Sequence, residues 1–407
     1  MKLLHTQVVK IQMIVRGGFY EQLEEHIGYA HAVEHMLSFY TSQKYPSTKT
    51  NEDTLSRLGI KSNAYTTNHY TGYWLTALEK NFIFMLDLML CVFLYPHFDT
   101  SKFQAEKEAV KKELDRIINE TWYSLETKID EIIYNNTNNA ISTKEEKANI
   151  ERLDLNSIQK AHERFYMLHN MALIVVSNHS NKDVFKIIKN IVDIPENHDP
   201  TYYKLTSLPE NLYKKHDIVF VPNHNVDNYR IKIVIQVPYI LFDSSVYVLH
   251  VLDFILTDRL NSRLYRRLRD KLGAVYFVSG QCSIDPVYPE LSNYTITTET
   301  TDDRVIDVIE NIEDVLQTIN DDPSLKNEVI DYRNKMGTNI ALDELSRHPD
   351  QYTSVYIPYI LWQEKLVSRQ DAYDRLLNVS SGEVSQLASN LFTSDNIIIF
   401  YSGKKEL

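Results

Sequence analysis

A chain of 407 residues is too long for one simple core and fits two domains of about 200 residues each. Its net charge of -12 argues against nucleic acid as a main partner, and the longest apolar run, residues 81–95, is broken by Asp87 and too short to span a bilayer. Cys91 and Cys282 stand alone without metal-type spacing and the start carries no signal-peptide core, so an intracellular, cytoplasmic setting is expected.

Alternating apolar residues predict a strand over 6–16, followed by a helix over 28–41 and a short helix over 51–59 ended by Gly59. Residues 62–78 read as two strands around a turn at Thr67–His69. Helical patterns cover 80–95, 101–119 and 121–135, then a strand at 170–178 and a helix at 182–193. Residues 195–217, with three prolines and mixed charge, read as a linker between domains at 1–194 and 218–407. The plan then restarts, with strands at 229–238, 271–280 and 291–300, helices at 246–269, 303–319 and 323–346, and a closing strand at 395–403. The last strand echoes the one at 170–178, and Gly59 and Gly273 close similar RLG and KLG segments 214 residues apart, as in a degenerate duplication. The fold class is α+β, with helices on one face of a mainly antiparallel sheet in each half.

The stretch GYAHAVEHMLSF (28–39) packs polar groups into a helix of otherwise small and apolar residues. His31 and His35 are four apart and share a face, the arrangement in which two imidazoles grip one metal ion. Glu34 lies beside that face, within reach of a water held there. H-x-x-E-H is the inverted form of a zinc-peptidase motif. The same residues also fit a polar stripe on an amphipathic helix. A catalytic zinc needs a third protein ligand, and the helix over 103–116 lines up Glu106, Val110 and Glu113 on one face. Each of these glutamates, taken singly, also fits a solvated surface.

Four stretches in order, GYAHAVEHML, SNAYTTNHYTGYW, EKEAVKKEL and LRDKLGAVYFV, resemble the pitrilysin/insulinase family of inverted-motif zinc peptidases, nearest to its short two-domain type. The resemblance implies His31, His35 and Glu113 as ligands of one Zn2+ per chain, Glu34 as general base and Glu106 as an accessory acid. It implies Asn63 and Ala64 on an edge strand that pairs with substrate backbone, and Arg269 and Tyr276 as catalytic and substrate-binding residues that reach the site from the second half. The implied fold is two homologous domains forming half of a clamshell. The implied activity is zinc-dependent endopeptidase cleavage of extended or unfolded peptides inside a closed chamber. The chain would act as a homodimer, or as a heterodimer with a related chain. The alternative is a non-catalytic structural subunit of a related complex. One departure stands out: the family places a further strand ahead of the one at 6–16, so the first sheet is expected to lack an edge strand or to recruit another segment.

Overall fold

Two sheets follow one wiring plan. The computed structural model describes residues 7–20, 22, 26–135, 137–192, 217–320, 322–346, 350–362 and 365–407. In chain order they form β1 (Val8–Arg16), α1 (Tyr29–Leu37), α2 (Thr48–Leu58), β2 (Lys61–Thr66), β3 (Tyr70–Leu78), α3 (Phe82–Leu94), α4 (Phe103–Ile118), α5 (Tyr123–Ile133), α6 (Thr143–Arg152), α7 (Leu155–Phe165), β4 (Met171–Val176) and α8 (Asn181–Ile191). The second half gives β5 (Asp217–Pro222), β6 (Tyr229–Gln236), α9 (Ser245–Thr257), α10 (Arg263–Tyr265) continued by a π-helical turn to Lys271, β7 (Val278–Ser283), β8 (Asn293–Thr300), α11 (Val305–Thr318), α12 (Leu325–Ser346), α13 (Asp350–Leu361), α14 (Arg369–Asn378), α15 (Ser381–Leu391) and β9 (Ile397–Gly403).

The first sheet has the order β2-β3-β1-β4, antiparallel throughout. The second has the order β5-β9-β6-β8-β7. If β6, β7, β8 and β9 are matched to β1, β2, β3 and β4, the neighbours are the same in both, which is the expected duplication. The second sheet adds β5, which pairs in parallel with β9. Among the described residues the first sheet has no counterpart of β5. The expected linker at 195–217 lies outside the described residues except for Asp217, which opens β5.

Val9, Ile11, Met13 and Val15 alternate along β1 and enter a core beneath α1, α3 and α7. The other face of β1 is buried too, including Lys10, Gln12, Ile14 and Arg16. There α13 places Ile357 and Leu361 on Ile14, and the Arg16 guanidinium lies 5.3 Å over the Trp362 ring. The second sheet is built alike. Ile231, Ile233 and Ile235 of β6 face α9, α11 and α15, while Leu125, Ile129 and Ile133 of α5 cover Val234, Ile398 and Phe400 behind it. Each half of the sequence thus lends one helix to the back of the other half's sheet. The chain accordingly divides into a first unit, whose described residues lie within 1–119, 137–206 and 347–364, and a second within 120–136, 207–346 and 365–407. The helical layer expected on one face of each sheet is present, with a single exchanged helix on the other. No helix among the described residues is long and apolar enough to cross a membrane.

Two helices end earlier than their sequence pattern. The helix expected over 28–41 stops at Leu37, because the chain turns through Tyr40 at φ 53 to bury that ring and let its hydroxyl donate to the Trp74 carbonyl at 3.2 Å. The helix expected over 246–269 breaks at Asp258–Ser262, where short polar side chains compete with the helical backbone bonds. Gly59 and Gly273 both adopt left-handed φ, 66° and 62°, and end the helical segments that precede β2 and β7.

Candidate metal centre

Nine residues make α1, and most of them are buried, Glu34 included at 7% exposure. His31 and His35 lie one turn apart on it, with ring centroids 4.9 Å apart. Their Nε2 atoms face the same oxygen, Glu113 Oε2, at 3.3 and 3.4 Å. Glu113 is delivered by α4, which Val110 and Leu114 anchor in the core. Glu106, two turns earlier on the same helix, meets His35 Nδ1 at 3.2 Å. Glu34 offers a carboxylate oxygen within 4.8 Å of both histidines. The expected set His31, Glu34, His35, Glu106 and Glu113 is thereby brought together in the first unit.

One member was not foreseen. Glu146 of α6 stands 3.6 Å from His31 Nδ1. Its segment, TKEEKANIER, reads as a solvated helix, and no periodicity in it marks this acid for burial.

Four carboxylates around two imidazoles create a strong demand for positive charge. Burial pulls the pKa of His31 down, but the carboxylates of Glu113, Glu146 and Glu34 around the ring outweigh it and push it up to about 10. His31 in turn holds Glu113 down to about 2. Glu34 is raised by burial, against the pull of His35 and His31. Two imidazole nitrogens and a carboxylate oxygen converging on one point, with a carboxylate behind each ring, are the donor chemistry of a divalent zinc site. The residues present fit that ion.

Beside the centre runs a cleft of about 640 Å³. One wall is β2 from Ser62 to Thr66, and the other is α4 from Glu113 to Ile117. β2 is an edge strand, as expected for Asn63 and Ala64, and pairs only with β3 among the described strands, Asn63 opposite Trp74 and Ala64 opposite Tyr73. Arg269 and Tyr276 are brought together in the second unit. Arg269 Nη1 donates to the Tyr276 carbonyl at 3.1 Å, its guanidinium lies 5.0 Å from the Tyr265 and Tyr276 rings, and Tyr276 is 79% exposed.

The second unit holds the counterpart of α1 in α9, which packs on β7 as α1 packs on β2. It reads His250-Val-Leu-Asp253-Phe254, with the second histidine replaced by phenylalanine. Asp253 Oδ1 accepts from Thr257 Oγ1 at 2.7 Å and from the Tyr294 hydroxyl at 2.9 Å. Among the described residues no metal-capable group forms there.

Fold and donor set together define a two-repeat α+β chain with, among the described residues, one candidate divalent-metal centre in its first repeat. Residues 3–147 match the family model Insulinase (Peptidase family M16), and residues 152–336 match Peptidase M16 inactive domain. The chain belongs to the M16, or insulinase, family of peptidases. It is 22% identical to the uncharacterized zinc protease YmxG of Bacillus subtilis over 97% of this chain and 93% of that one. It is 27% identical to human insulin-degrading enzyme over 46% of this chain but spans only 19% of that enzyme. A protease from Helicobacter pylori shares the fold with a TM-score of 0.84 at 17% identity, over 98% of this chain and 94% of that one.

Proposed function

We propose that the chain is a zinc-dependent endopeptidase acting on extended or unfolded peptides. The observation that carries this is the convergence of both Nε2 atoms on Glu113 Oε2, next to a buried Glu34 and an open strand edge. His31, His35 and Glu113 would hold the ion. Bound zinc would supply Lewis-acid activation of water and of the scissile carbonyl. Glu34 would accept the proton of the attacking water on its carboxylate and return it to the leaving amine. Its burial-raised pKa suits a group that must both take and give a proton. Glu106 would keep the His35 ring in place through Nδ1. The β2 edge at Asn63 and Ala64 would hydrogen-bond the substrate backbone, a mode that demands extension and tolerates many sequences. Arg269 and Tyr276 enter as substrate-contacting residues through the family resemblance alone.

Free Cys91 and Cys282 support a reducing, cytoplasmic setting. The closed chamber is read as a homodimer of this chain, which light scattering at twice the chain mass would support and an active monomer would refute. The central test is cleavage of unstructured peptides with and without chelator. Zinc-restorable cleavage is expected, and zinc-free protein cleaving at the full rate would sink the proposal. Glu34→Gln should retain zinc and lose roughly 10²–10⁴-fold in turnover.

A further inference from the structure

His31 and His35 each have one ring nitrogen turned toward Glu113 and one turned away. The outward nitrogen of His35 has an assigned partner in Glu106. We propose that Glu146 does the same for His31, as the positioning residue that holds Nδ1 so that Nε2 is presented to the metal. The identity of the metal rests on the zinc-peptidase reading; the placement of Glu146 does not.

Both atoms of the contact are buried, and among the described residues neither His31 Nδ1 nor Glu146 Oε1 has another hydrogen-bond partner. At 3.6 Å they are just beyond hydrogen-bond range, and a small rotation of either group closes the gap. A carboxylate at 8% exposure with nothing else to satisfy that oxygen is costly unless it serves a partner. The backbone is shaped to allow the approach. Gly28, at the start of α1, has φ 94, and a Cβ there would lie 2.9 Å from Glu146 Cγ. Any side chain at position 28 would therefore strain the turn and crowd the Glu146 and Ile150 side chains.

The support behind Glu146 is firm. The reciprocal capping box of Ser142 and Glu145 fixes the first turn of α6. One residue on, Lys147 pairs with Asp115 of α4 at 2.6 Å, so the helix that carries Glu146 is tied to the helix that carries Glu113. An imidazole whose Nδ1–H is held by a carboxylate exposes its lone pair at Nε2 and becomes a stronger donor. Without Glu146 the His31 ring is free to take the other tautomer, with a hydrogen at Nε2 where the ion must bind.

The test compares zinc affinity, by chelator competition at one pH, in the wild type, Glu146→Ala, Glu146→Gln and Asn149→Ala. Asn149 lies on the same helix at 6% exposure, so its loss perturbs α6 without removing the group opposite His31. Glu146→Ala is expected to lose roughly 10–100-fold in affinity. Glu146→Gln keeps an acceptor for Nδ1–H and should recover most of it, while Asn149→Ala should bind as the wild type does. In ring-15N-histidine spectra of the zinc-loaded protein, one protected Nδ1–H signal should vanish in Glu146→Ala and persist in Glu146→Gln. Glu146→Ala binding within twofold of the wild type would overturn the proposal, as would an equal loss in Asn149→Ala. If Glu146→Ala does not fold, Glu146→Asp decides, since it keeps the charge but withdraws it from Nδ1. Unchanged affinity in that variant refutes the role. Wild-type protein that binds no zinc removes this inference and the peptidase reading together. Zinc binding without peptide cleavage removes the peptidase reading alone.

Discussion

Zinc and a proton should compete for His31, and the competition can be measured. With its pKa near 10, His31 carries a proton throughout the neutral range in the metal-free protein, and a metal ligand cannot. Binding must therefore expel that proton. Apparent affinity should rise about tenfold per pH unit, roughly a thousandfold between about pH 6 and about pH 9, or about 4 kcal/mol. An imidazole of ordinary pKa near 6.5 would add only about fourfold over the same range, because it is already mostly neutral. Chelator competition across pH separates the two. Calorimetry near pH 8 in buffers of different ionisation enthalpy should show about one proton released per zinc, against almost none for an unperturbed ring. The same shift has a stability consequence. The folded pKa is raised, so the stabilisation is present below about 6.5 and is lost as pH rises toward about 10. Metal-free protein should therefore melt earlier as pH rises through that window. An affinity that levels off above about pH 7 would refute the electrostatic account of the centre.

Glu113→Gln should weaken zinc by more than the roughly 10–100-fold typical of an outer partner, and full occupancy in that variant would remove Glu113 from the ligand set. His162 is buried between Phe98 and Tyr166, and burial holds its pKa down to about 4. Its contribution is therefore present above about 6.5 and lost as pH falls toward about 4, at most about 3 kcal/mol. His162→Phe should keep the ring contacts and move the acid unfolding midpoint to lower pH; an unmoved midpoint would show that another group sets acid stability. Tyr276→Phe removes one hydroxyl from an exposed ring, so melting temperature and zinc content should not change. A lowered kcat would tie Tyr276 to substrate, and unchanged kinetics would leave it a surface aromatic.

The parts of the centre that were legible share a single helix or hairpin. His31 and His35 show in the four-residue period of α1, and Glu106, Val110 and Glu113 in that of α4. The turn between β2 and β3 shows in the break at Thr67–His69. Gly59 and Gly273 were readable because a left-handed helix end favours glycine whatever surrounds it. What escaped depends on docking between distant segments. Glu146 is buried because α6 meets Gly28, and neither stretch signals the other. α5 and α13 each cover the back of a sheet built from the other half of the chain, so their apolar residues give no clue to their destination. Lys10, Gln12 and Arg16 are the polar members of the alternation in β1, yet they are buried.

Duplication of the wiring did not duplicate the chemistry, and a few side chains account for the difference. In the first repeat Tyr73 of β3 turns its hydroxyl to that of Tyr166, at 2.5 Å. The Glu34 carboxylate stays near the two imidazoles, where it can serve an ion or a proton. In the second repeat the matching Tyr294 of β8 donates to Asp253, and Thr257 donates to the same oxygen. That carboxylate is spent on holding α9 to the sheet. Phe254 stands where a second imidazole would be and packs edge-on against Tyr332 at 5.2 Å. A histidine placed at 254 would supply a second imidazole but leave Asp253, the counterpart of the proposed general base, bonded to two hydroxyls. The scaffold sets where a centre can form. Whether the acid on that helix can serve a water there depends on whether the tyrosine below it bonds to the acid or to another phenol.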